Sequence, residues 1–146
     1  MRFFFAGILY LAAAIGGGGM SANAAVIASC GFMKGYSYFF RNELAGNSPG
    51  WERGSLKTTT IFLGTDKVKE VVLKSTLRGQ DWTRSTSDYG AQVYEVARQG
   101  SIRHILILWG PVTELYALDT EKKSLSLVSQ KSGLIKVTHA FVGKCE

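Results

Sequence analysis

Two cysteines and two histidines are all that the 146 residues hold of the commonest metal-binding and nucleophile-activating side chains. His104 and His139 lie far apart, and no Cys or His cluster has metal-ligand spacing, so no metal site is expected. A serine-hydrolase elbow is also missing, because Gly35-Tyr36-Ser37-Tyr38-Phe39 lacks the second glycine of G-x-S-x-G. His104 sits beside Ile105 in an apolar run, and His139 shares a face with Val137 and Phe141. These are ordinary places for a strand-face or satisfied core histidine. Asp66, Glu70, Asp81, Asp88, Glu95, Glu114 and Asp119 are spread singly, without the pairing that glycosidase chemistry uses. No catalytic residue and no cofactor is assigned.

A basic stripe is lacking too. The formal net charge is +6, but the Lys and Arg residues are scattered and the only adjacent pair of them is Lys122-Lys123. Such a balance keeps a small domain soluble and draws it weakly to anionic surfaces. Without clustered cations to neutralise phosphates, a nucleic-acid partner is not expected. No internal repeat is visible, and 46% apolar residues argue against disorder.

What is present begins with a leader. Met1-Arg2 carries a positive charge, residues 3–15 are apolar apart from Gly7, glycines 16–19 break any helix, and Ala22-Asn23-Ala24 follows. This is the order of a secretory signal peptide, and the apolar run is too short to cross a bilayer of about 30 Å as a helix. The expected division is a signal over residues 1–24 and one domain over residues 25–146, with no transmembrane segment in the mature chain and a periplasmic or secreted location. Val26-Ile27-Ala28 offers a second cleavage site. Ile27-Ala28-Ser29-Cys30 offers a lipobox, in which Cys30 would carry a lipid anchor. Against that stand the long gap between the apolar run and Cys30, and the partner it would take from Cys145.

An even cysteine count in an exported chain reads as a disulfide, and two cysteines allow only Cys30–Cys145. Closing so long a loop is worth about 4–5 kcal/mol on chain entropy and makes the first and last strands neighbours. Between these ends the chain reads as short β runs separated by turn signals. The runs are residues 36–41, 56–63, 67–76, 91–97, 102–109, 112–119, 124–130 and 134–142. Residues 47–50 and the polar stretch 78–90 read as loops. Period-two alternation is clearest where Ile135, Val137, His139 and Phe141 share one face. The expectation is an all-β, antiparallel barrel or sandwich of about seven to eight strands whose C-terminal half is a meander.

Cys30-Gly31, the run Gly35-Tyr36-Ser37-Tyr38-Phe39-Phe40, Gly50-Trp51 and the closing Gly143-Lys144-Cys145 resemble a group of small exported bacterial proteins. The resemblance implies a leader, a β-rich domain and terminal cysteines, and brings no activity with it.

The most site-like residues are aromatic and polar. Trp82 lies with Arg78, Asp81, Arg84 and Tyr89 in the stretch 78–90, and Trp51 lies beside Glu52 and Arg53. Rings supply contact area and Arg supplies planar hydrogen bonding, so Trp51, Arg78, Trp82, Arg84 and Tyr89 form a candidate binding surface. The plainer alternative is that both tryptophans fold back as plugs on the ends of the β scaffold. Three function classes follow. The first is a non-enzymatic binding or envelope-associated module, its partner an envelope component or a protein. The second is an inhibitor of a secreted hydrolase, though a basic target such as lysozyme would repel it. The third is a hydrolase using a His and a carboxylate brought together by the fold. The first is preferred.

Overall fold

The structure is a computed structural model and describes residues 24–40, 49–133 and 136–146. Its organising element is the long strand β1 (Ala25–Phe39). Along one edge β1 pairs first with β3 (Thr58–Gly64) and then with β2 (Gly50–Leu56). Along the other it pairs with β10 (Val137–Cys145). Beyond β3 come β4 (Val68–Leu77) and β5 (Gln80–Ser85). Beyond β10 runs a meander of β9 (Ser124–Lys131), β8 (Val112–Asp119), β7 (Ile102–Trp109) and β6 (Gln92–Gln99). All pairs are antiparallel, and Cys30 faces Cys145 across the β1–β10 ladder and is bonded to it.

The all-β class, the C-terminal meander and the neighbouring terminal strands agree with the sequence reading. The count and the closure do not. Among the described residues there are ten strands in one sheet curled into an open half-barrel, where a barrel or sandwich of seven to eight was expected. The extra strands come from two misread stretches. Residues 78–90 are not a loop: Arg78 (φ 53°) and Gly79 (φ 78°) form a two-residue hairpin turn with both φ positive, and residues 80–85 run back along β4. Trp51 likewise lies on β2 rather than in a loop. Residues 41–48, which include residues 47–48 of the other expected loop, and residues 134–135 at the start of the last expected strand lie outside the described residues.

Curling places the apolar core on the inner face. The rings of Phe62 on β3 and Tyr116 on β8 meet edge to face at 5.4 Å, although β1, β10 and β9 separate their strands in the sheet. Around them Val71, Ile105, Ile107 and Leu118 are fully buried. Burial of one such side chain stabilises by about 1.5–3 kcal/mol. A bulge in β1 between Gly31 and Lys34 absorbs one extra residue, with Phe32 left-handed at φ 45°. Opposite it, Gly143 is required, because a Cβ there would stand 2.6 Å from Met33 Cγ.

The free strands β5 and β6 are not joined by a ladder. Side chains draw β6 towards β4 instead. Glu95 Oε2 accepts the Val68 amide at 2.9 Å, and Arg98 and Arg103 donate to the Asp66 carbonyl. Beside this seam Thr86 continues the pairing of β5 on β4, exchanging bonds with Val71 through its own amide (2.9 Å) and hydroxyl (3.0 Å).

Candidate functional site

On β8 the inward positions are Val112, Glu114, Tyr116 and Leu118. An acid in that row is the exception, and it is provided for. Glu114 Oε2 accepts from Trp109 Nε1 at 2.8 Å and from Tyr116 Oη at 3.0 Å. Both donors converge on one oxygen, which leaves Oε1 free of them. Burial raises the Glu114 carboxyl above the usual carboxylate range, and the bonds from Trp109 and Tyr116 only partly offset this. Burial and the neighbouring carboxylate also push the Tyr116 phenol far up, so it stays a donor.

Glu114 lines a depression of about 290 Å³ with Leu73, Arg84, Tyr89, Trp109 and Val112. Its far wall comes from the opposite side of the curled sheet. Leu73 on β4 faces Arg84 on β5, and the turn after β5 brings up Tyr89. The Arg84 guanidinium lies over the Tyr89 ring at 4.5 Å and near the Trp82 ring at 5.5 Å. Flanked by two rings and without an ion pair among the described residues, it keeps its planar donors for an incoming group. The site therefore combines a cation on one wall, a carboxylate on the other and aromatic surface between them. It is small, near the lower limit for small-molecule pockets.

Of the five residues expected at a binding surface, Trp82, Arg84 and Tyr89 come together here. Arg78 is exposed at the tip of the β4–β5 hairpin. Trp51 is elsewhere, 62% exposed on β2, its ring against Tyr38, which in turn meets Phe40. Trp109, Glu114 and Tyr116 were not among the expected site residues. The signal for them was Glu114 itself, an acid in phase with Val112, Tyr116 and Leu118.

His139 accounts for itself within the fold. Its Nδ1 and Ser37 Oγ share a 2.7 Å hydrogen bond between facing residues of β1 and β10, and its ring tilts against Phe141. Burial, together with Lys131 nearby, lowers its pKa and so favours the neutral ring. His104 points to the outer face, between Ala97 and Ala117. Among the described residues no group of His, Cys, Asp and Glu is arranged to hold a metal, and no helix is long and apolar enough to cross a membrane. Compared with known proteins, the chain matches no family model, no curated protein and no solved structure.

Proposed function

We propose that this chain is an exported, non-enzymatic binding module that takes a small polar ligand between Arg84 and Glu114. The observation that carries this reading is the Arg84 guanidinium, held over Tyr89 and Trp82 at the edge of a pocket that Glu114 lines. A ligand suited to it carries an anionic group for Arg84 and a hydrogen-bond donor for Glu114, with a flat or apolar body against Tyr89 and Trp109. Trp82 and Trp109 make the test direct, since each is in or beside the site. Tryptophan fluorescence titrated with amino acids, small carboxylic acids, sugar acids and phosphorylated sugars should give a saturable change with at least one class. Arg84→Ala should then weaken that ligand about ten- to a hundredfold, as loss of a charged hydrogen bond does. Silence across the whole panel, or an unchanged affinity in Arg84→Ala, would sink the reading.

Export is supported by the Cys30–Cys145 bond, which belongs to an oxidising compartment. Cleavage after Ala24 is favoured over cleavage after Ala28, because residues 25–28 pair with β3 and Ala28 is buried. Lipidation at Cys30 would discard the same residues and the disulfide as well. Intact mass of the protein from the envelope fraction decides it. A chain starting at Ala25, with both thiols alkylated only after reduction, is expected; a lipid-modified Cys30 would overturn it.

A further inference from the structure

The outer face of the sheet carries a continuous apolar row. Successive register pairs place Tyr36, Ala140, Val128, Leu115, Leu106 and Tyr94 side by side across six strands, with Arg53 at the β2 end. Most of the row is open to solvent: Tyr36 is 53% exposed and Val128 51%. The rows on either side of it hold small, polar and apolar residues and no Asp or Glu, and one of them brings in Lys34. A groove of about 400 Å³ opens on this face, with Tyr36, Ala140, Val128 and Val142 as its apolar lining and Lys34 and Arg53 beside them. A soluble surface seldom leaves so long an apolar row uncovered.

The β1 bulge adds a second, independent feature at the disulfide end of the same face. Phe32 sits there on left-handed backbone, half exposed, with the Lys34 ammonium 5.2 Å from its ring. Lys57 and Lys144 line the adjoining hollow with it, and among the described residues the only carboxylate side chain there is Glu146. A bulky residue with positive φ is costly, about 1–3 kcal/mol, and here the cost holds an aromatic ring outward among lysines.

We infer that this outer face docks on an anionic lipid bilayer, Phe32 and the Tyr36–Val128 row entering the interface while Lys34, Arg53, Lys57 and Lys144 meet the lipid phosphates. Charge decides the occupant. A second copy would bring Lys34, Arg53, Lys57 and Lys144 against the same cations with Glu146 alone, in these rows and the adjoining hollow, to pair with them, whereas an anionic bilayer supplies both the missing negative charge and an apolar layer. The abundance of exposed aromatic rings, Tyr36, Tyr94 and Phe32, matches the preference of such side chains for the headgroup region. The excess of Lys and Arg over Asp and Glu, of which only Arg2 lies in the leader, adds long-range attraction. The inference does not rest on the Arg84 pocket, whose lining belongs to the inner face.

Vesicle co-sedimentation of the oxidised protein tests it, with vesicles of phosphatidylglycerol mixed into phosphatidylcholine against phosphatidylcholine alone. Partition onto the anionic vesicles is expected, falling as salt rises. Phe32→Gly suits the backbone better than phenylalanine and should fold at least as well. It should nevertheless bind about tenfold more weakly, the loss of one inserted ring. Lys34→Glu with Lys144→Glu should cost on the order of fivefold per lysine removed, and Val128→Glu should also release the protein. The inference is overturned by no partition of the wild-type protein, by equal partition onto both vesicles, or by undiminished partition of Phe32→Gly. A concentration-dependent dimer abolished by Val128→Glu would assign the face to a second copy and overturn it equally.

Discussion

The two junctions that shape this sheet are made of different materials. Where β1 meets β10 the backbone does the joining, with a ladder from Cys30–Cys145 to Phe39–Val137 and a covalent bond at one end. Where β4 faces β6 no ladder forms, and a single buried carboxylate, Glu95, binds the Val68 amide while Arg98 and Arg103 reach across to Asp66. Glu95 is also the acid in both ion pairs found among the described residues. Backbone pairing shares its free energy over many bonds, so losing one costs little. The side-chain seam is concentrated in one residue. The first junction therefore sets global stability, and the second sets how readily the half-barrel opens.

Breaking the first junction gives the largest expected effect. Cys145→Ser, or reduction, should lower unfolding free energy by about 4–5 kcal/mol in urea titrations, the loop-entropy contribution of so long a closure. A loss under a fifth of that would mean that the ladder holds the unfolded chain's ends together without the bond. Breaking the second junction should cost less and act locally. Glu95→Ala strands the amide of buried Val68 and takes from Arg98 and Arg103 their shared carboxylate, a cost of about 1–3 kcal/mol. Hydrogen exchange at Val68 should speed up while exchange at Cys145, bonded to the Lys123 carbonyl, stays slow. Equal acceleration at both amides would show that the seam does not open on its own.

Acidity sharpens the contrast further. Burial acts to raise the Glu95 carboxyl, but the Val68 amide and the Arg98 and Arg103 guanidiniums outweigh it and hold the group below the usual carboxylate range. Its contribution is thus complete above the unfolded carboxylate pKa and is lost as pH falls through the lowered folded value. Glu114 has the opposite sign. Its raised carboxyl favours the folded state at low pH, and that advantage disappears as pH rises from the unfolded carboxylate pKa through the raised folded one. Urea titrations across pH should show the wild-type advantage over Glu95→Gln shrinking in acid. Glu114→Gln should gain on wild type as pH rises through the same region. Parallel curves for wild type and either variant would contradict the corresponding assignment. The smallest effect belongs to Arg98→Ala, whose side chain is 44% exposed: below about 0.5 kcal/mol by thermal or urea melting.

The meander was legible because local rules suffice there. Residues 102–109 and 112–119 were read from the sequence with the bounds that β7 and β8 have, since Gly110-Pro111 and the turn through Lys123 punctuate the apolar-rich runs on either side. The N-terminal half was not legible in the same way. β1 changes phase at Phe32, so Cys30 and Met33 both face inward and no single period-two pattern spans the strand. The polarity of residues 80–85 hid an edge strand whose outward side chains need no apolar partner, and the positive φ of Arg78 has no sequence signature. The site was half visible for a related reason. Trp82, Arg84 and Tyr89 are close in the chain, whereas their opposition to Trp109 and Glu114 depends on curvature, which residue spacing does not encode.

The place of β1 between β3 and β10 also has a consequence in time. The N-terminal group of strands and the C-terminal meander are joined in the sheet through the pairing of the first strand with the last. Local hairpins can form as each turn emerges, but that central ladder must wait until residue 145 is available and the longest loop has been closed. A chain threaded outward through a membrane would stay without its central ladder until its final residues had crossed, and only then acquire both its fold and the cysteine partner that locks it.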